Sequence, residues 1–178
     1  MSAAKEKPME EKPKKKIHLN LRWYEVSVAI HLVGLRHTES LRNNMKDQHG
    51  YKGRDMQDNL YGMLGEIAFA KATNKYFPMS VNTFKDADVG IHWQVRTVGS
   101  NNNRDLIVRP NDPDKHKYVL VEISKTMHPC LYKATIHGWV EGITAKDKQY
   151  LSYFGNPDRP PAYRITQDKL RCTSFMPV

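Results

Sequence analysis

Cysteine is scarce in this chain: Cys130 and Cys172 are the only two in 178 residues. Two cysteines build no disulfide framework, and no C-x-x-C pair or zinc spacing is present, so free thiols in a reducing, cytoplasmic compartment are expected. Long apolar runs are missing as well. Nothing approaches the ~20 apolar residues that a membrane span needs, so no membrane association is expected. The N-terminus is charged where a secretory signal would be apolar. There is no internal repeat, no P-loop and no G-x-S-x-G. Acidic residues are outnumbered, 19 Asp and Glu against 28 Lys and Arg, for a formal charge of +9. That balance favours an anionic partner, nucleic acid being the commonest, although a basic protein without that role has the same count.

What the chain does contain is an ordinary globular composition, 39% hydrophobic and 26% charged. The length suits a single domain with its own core. Its start is set apart. Positions 1–16 hold six Lys and three Glu (6 − 3 = +3), two Pro and almost nothing apolar. Such a stretch buries too little surface to offset its ordering entropy. A disordered basic tail is therefore expected over 1–18 and one domain over 19–178. Lys14, Lys15 and Lys16 are candidate phosphate contacts, a solubilising role being an equal alternative. Without positions 1–16 the chain keeps 9 − 3 = +6, so the remainder is basic in its own right.

A helix capped by Asn20 is predicted over 21–44, with Val26, Ile30 and Val33 on one face and Val28, Leu32 and Leu35 widening it. His31 and His37 have no companion ligands there and read as ordinary helix residues. Residues 45–57 read as a loop. A second helix is predicted over 58–74, with Leu60, Leu64, Ile67 and Lys71 on one seam and Met63 and Phe69 beside it. It is rich in small residues: Gly62, Gly65, Ala68, Ala70 and Ala72. A glycine inside a helix costs roughly 1 kcal/mol relative to alanine, so two of them imply a packing reason. Glu66 lies among them, with Gly62 and Ala70 one turn to either side. Buried there, its carboxylate needs a metal ion or an arginine; facing water, it needs neither.

From Val81 the pattern changes to strand, with a short one over Val81 to Phe84. From Asp88 to Val98 polar and apolar residues alternate. In one strand, or in a hairpin turning near Gly90–His92, Asp88, Gln94 and Arg96 share a side. An exposed edge strand gives the same alternation. Asn102, Asn103 and Arg104 follow in a polar loop as candidate contacts to phosphate or base edges, though a solvated turn accounts for each of them too. Leu106 to Arg109 reads as a strand ended by Pro110, and the acids of Asn111 to Asp114 as ordinary turn chemistry. Tyr118 to Ile123 reads as a central, doubly covered strand and Leu131 to Ile143 as another, His137 being an ordinary strand histidine. A short helix capped by Thr144 should run to about Leu151, a last strand over Ala162 to Ile165, and a turn over 167–170. The fold class is α/β, with two N-terminal helices packed on a mixed sheet.

A helix-borne Glu, then an Asp, then a strand with (Glu or Gln)-x-(Lys or Arg) resembles the PD-(D/E)XK nuclease superfamily, whose fold is restriction-endonuclease-like. The matching pieces are Gly65-Glu66-Ile67-Ala68, Asp86-Ala87-Asp88-Val89 and Gln94-Val95-Arg96. The runs GEIAFAKA, DVG, QVRT, LIVRP and HGW are similar to those of small uncharacterised phage and bacterial members, over roughly Leu21 to Leu170.

The resemblance implies phosphodiester hydrolysis of DNA with Mg²⁺ or Mn²⁺, RNA staying open as substrate. Hard cations take oxygen ligands. Asp88 would be the main carboxylate, with the Gln94 amide oxygen and the Val95 carbonyl beside it, and Glu66 would hold a water of the cation's shell. Arg96 stands where the family usually has Lys; it can steady phosphate charge but cannot accept a proton. Gln for an acid lowers metal affinity, and Arg for Lys is not conservative. A degenerate site that binds nucleic acid without cutting it, as in a phage structural or accessory factor, is the alternative. The resemblance further implies a possible homodimer, in host cytoplasm or a virion if phage-encoded.

Overall fold

The computed structural model describes residues 15–43, 55–81, 86–100, 105–128, 131–155 and 160–175. Lys14, Asn102, Asn103, Arg104, Cys130 and most of the strand expected at 81–84 lie outside them. In chain order come β1 (Ile17–Leu21), α1 (Trp23–Arg42), α2 (Asp55–Thr73), β2 (Trp93–Gly99), β3 (Leu106–Val108), β4 (Lys117–Lys125), β5 (Tyr132–Glu141), the one-turn helix α3 (Gly142–Ala145), β6 (Leu151–Ser152) and β7 (Ala162–Ile165). The molecule is mixed α/β. Among the described residues no helix is long and apolar enough to cross a membrane.

Two sheets form. The larger has the order β1-β5-β4-β2 and is mixed, because β2 runs parallel to β4 while the other neighbours are antiparallel. The smaller, β3-β7-β6, is antiparallel. The apolar run of β4 explains its place: flanked by β2 and β5, its Tyr118, Val119, Leu120, Val121 and Ile123 are fully buried. One face of the larger sheet takes the helices. Val26, Ala29 and Val33 of α1 and Met63, Leu64 and Phe69 of α2 join Val95, Val119, Val121 and Ile136 in one core. The other face holds a second core of Leu106, Val108, Tyr118, Leu120, Ile165 and Leu170, built with the small sheet. Each such side chain contributes about 1.5–3 kcal/mol when fully buried.

Several expectations are corrected. Asn20 does not cap α1. It lies in β1, which pairs with β5 through Ile17, Leu19 and Leu21, so Ile17 and His18 are strand residues and not tail. The helix begins two residues later, where the Glu25 carboxylate accepts the Arg22 backbone N–H at 2.7 Å. Its inward face is Val26, Ala29, Leu32 and Val33, while Val28, Ile30 and Leu35 are exposed. Small Ala29 at helical spacing, not bulky Ile30, marks the contact line. Gly65 has its packing reason: a Cβ there would lie 2.0 Å from the Thr97 hydroxyl oxygen. Gly62 has none, since a Cβ there meets nothing within 4 Å. Glu141, not Thr144, precedes the first turn of α3, and a 3₁₀ turn at Lys148–Tyr150 replaces the rest of that helix.

Candidate functional site

The site is built on β2, one of the two outer strands of the larger sheet. Alternation sends Trp93, Val95 and Thr97 towards the helices, Phe69 and Trp93 meeting with ring centroids 5.0 Å apart. Gln94, Arg96 and Val98 point to the opposite face. The hairpin form of the sequence reading holds: the chain turns between Val89 and Trp93, with Gly90 at φ +59° and the Asp88 N–H donating to the Trp93 carbonyl at 2.9 Å. That turn lays Asp88 along the strand's free edge, where its Oδ2 accepts the Val95 N–H at 2.7 Å. In a strand the N–H and C=O of one residue face the same way, so the Val95 carbonyl looks out on Asp88's side. Gln94 is buried, and its Nε2 donates to the Asp86 carbonyl at 2.6 Å. Strand and turn thus hold each other in register.

Glu66 approaches from α2 and is only 7% exposed. Its partner is Arg36 of α1, whose Nη1 and Nη2 donate to Oε1 and Oε2 at 3.1 Å each, while Nε donates to the Ser80 carbonyl at 3.1 Å. The Glu66 carboxyl is pushed up to about 7: burial raises it most, the Arg36 hydrogen bonds pull it down, the Asp88 charge adds to the rise and the Arg36 charge opposes it. Burial raises Asp88 too, against the Val95 N–H and the charges of Arg96, Arg36 and His116. The two acids therefore feel each other across the strand edge. Buried His116 lies within reach of Asp88's charge, and among the described residues neither of its ring nitrogens meets a hydrogen-bond partner.

Arg96 is held from its own face. Its Nη2 donates to Asp112 Oδ2 at 2.7 Å, and its guanidinium lies 5.3 Å from the Tyr118 ring centre. Asp112 Oδ2 also accepts the Arg109 N–H at 2.9 Å, and Lys146 donates to the carbonyls of Pro110 and Asp112 while pairing with Asp114. Asp112 thus does turn chemistry and charge pairing at once.

The structure brings Asp88 against Val95 beside Gln94 and Arg96 of β2, and Glu66 of α2 lies near enough for its charge and that of Asp88 to interact. Lys15 and Lys16 are elsewhere: they lead into β1, at the other end of the sheet order, where Lys16 Nζ reaches Gln167 Oε1 at 3.2 Å. Two residues escaped sequence reading, Arg36 and Asp112. Arg36 continues the stripe Val26, Ala29, Val33 at helical spacing, so a cation on a buried face was the signal. Asp112 carried none beyond its turn. Among the described residues no group of three or more His, Cys, Asp and Glu is placed to hold a metal ion. Mg²⁺ commonly takes one or two carboxylates with water and substrate phosphate completing its shell, and the donors here are two carboxylates, an amide and a carbonyl. That hard-oxygen set fits Mg²⁺ or Mn²⁺. Comparison of the chain with family models, with curated proteins and with solved structures finds no match.

Proposed function

We propose that this chain is a Mg²⁺-dependent, phage-related DNA nuclease with a restriction-endonuclease-like fold and its site at the β2 edge. The observation that carries the reading is the meeting of two desolvated, mutually repelling carboxylates, Glu66 and Asp88, beside Gln94, Val95 and Arg96. Arg36 offsets only part of the cost of bringing two like charges together out of water, whereas a divalent cation makes use of both. Asp88, Glu66, the Gln94 amide oxygen and the Val95 carbonyl would hold it; when bound, it supplies charge neutralisation at the phosphate and acidifies its water. The chain's own groups do the rest. Arg96, steadied by Asp112 and Tyr118, turns a fixed positive charge towards the phosphate and keeps its proton throughout. Gln94 orders the Asp86–Asp88 segment and adds no charge.

Incubation of plasmid and single-stranded DNA with Mg²⁺, Mn²⁺ or EDTA, beside an Asp88→Ala variant, tests the reading. Cleavage should require the metal and fall by roughly 100-fold or more in the variant. Folded protein that leaves DNA intact with either metal would sink it. One observation favours a second reading, a nucleic-acid-binding protein without catalysis: Glu66 and Arg96 already have charge partners within the chain, Arg36 and Asp112. Salt-sensitive DNA binding that neither EDTA nor Asp88→Ala changes would support it.

A further inference from the structure

One guanidinium engages both oxygens of Glu66, each at 3.1 Å. A fork-to-fork pair of this kind occupies the front of the carboxylate. A divalent cation needs the same lone pairs. The Arg36 charge also pulls down the Asp88 carboxyl, so one cationic group serves both acids. Its side chain keeps 28% of its surface in solvent against 10% for Glu66, so the contact is not sealed. One turn before Glu66, Gly62 leaves open space where any other residue would place a Cβ. The planar fork of arginine fits phosphate as well as it fits carboxylate.

Resting on the nuclease reading, we propose that Arg36 is a built-in counter-ion that competes with the divalent cation for Glu66 and passes to a backbone phosphate of the nucleic acid when the site loads. Arg36 then couples the two ligands. A phosphate that draws the guanidinium away opens Glu66 to the cation, and a cation on Glu66 releases the guanidinium to the phosphate. By linkage the effect is the same in both directions.

The test is Mn²⁺ binding by calorimetry, in buffer well above the Glu66 titration, to the wild type and to Arg36→Gln. Each is measured alone and with a short duplex carrying cleavage-resistant phosphorothioate linkages. Without DNA, Arg36→Gln should bind Mn²⁺ about tenfold tighter than the wild type; the duplex should tighten wild-type binding by a factor within the roughly 5–150-fold range of such couplings, and the variant by clearly less. Equal Mn²⁺ affinity of the two proteins without DNA overturns the competition and leaves the nuclease reading standing. No Mn²⁺ binding by either protein, with or without DNA, overturns both. Should Arg36→Gln fail to fold, the unaltered protein answers: the arginine Nε–H resonance of Arg36 should move on Mg²⁺ titration with the duplex present, and an unmoved resonance at saturation overturns the proposal.

Discussion

For single residues, burial and pairing compete, and Glu66 shows which prevails. Its carboxyl stands near 7 in the folded protein against 4.5 as a free side chain, burial outweighing Arg36. Between those values the native state holds a proton that the unfolded chain has lost. Stability therefore falls as pH rises through that window and levels off above it. Asp88, raised by burial, acts in the same direction. His137 acts oppositely: burial lowers its imidazole below 6.5 although Glu122 bonds it at 2.9 Å, so acidification below 6.5 costs stability. Comparing wild type with Glu66→Gln removes the His137 effect common to both. The urea midpoint of the wild type should decline relative to the variant between about pH 5 and about pH 8. A difference that stays constant over that range would show that Glu66 titrates like an exposed acid. That Glu66 would need a cation if buried was legible in the sequence; that it is buried was not, since the same segment reads equally well with the carboxylate facing water. That the cation present is Arg36 was not, because the pairing joins two helices whose relative rotation no local pattern specifies.

Within elements, the two glycines of α2 make opposite predictions from one helix. Gly62→Ala gains helix propensity and meets nothing, so it should stabilise by about 0.5–1 kcal/mol. Gly65→Ala gains as much but drives its Cβ into Thr97, whose Oγ1 would be 2.0 Å and whose Cβ would be 3.1 Å away. Overpacking of that kind costs about 1–3 kcal/mol, so the net change should be a loss. Thermal unfolding of the pair decides it; shifts of the same sign would mean that α2 does not lie against β2 as described. The long elements were legible: α2 from its seam of Leu60, Leu64 and Ile67, β4 from an apolar run that only Glu122 interrupts, β5 from alternation. Among the short ones, β3, ended by Pro110, and β7 were legible too, while β1 and β6 were not. β1 has five residues and its partner, β5, lies more than a hundred positions away, so the tail before it and the helix after it divided it. β6 has two residues, and only pairing with β7 makes it a strand.

For the whole molecule, the sheet order sets Lys15 and Lys16, which lead into β1, apart from the candidate site at β2. β1 and β2 are its two outer strands, with β5 and β4 between them, which is on the order of 14 Å at ~4.8 Å per strand step. Lys15 is tied at the far side, its carbonyl accepting the Thr173 hydroxyl at 2.6 Å. Positions 1–14 hold four Lys and three Glu, so removing them takes away only 4 − 3 = +1 and leaves 9 − 1 = +8. Non-specific affinity follows the number of phosphates neutralised, with a slope of about −0.9 in log affinity against log salt for each. Binding through the β2 edge should therefore survive deletion of residues 1–14, with the salt slope changed by less than about one unit. Fluorescence anisotropy of a labelled duplex across a salt series measures both quantities. If deletion abolishes binding or flattens the slope by several units, the contacts belong to Lys5, Lys7, Lys12 and Lys14, and the acids and arginines around β2 meet the duplex only after the segment has captured it.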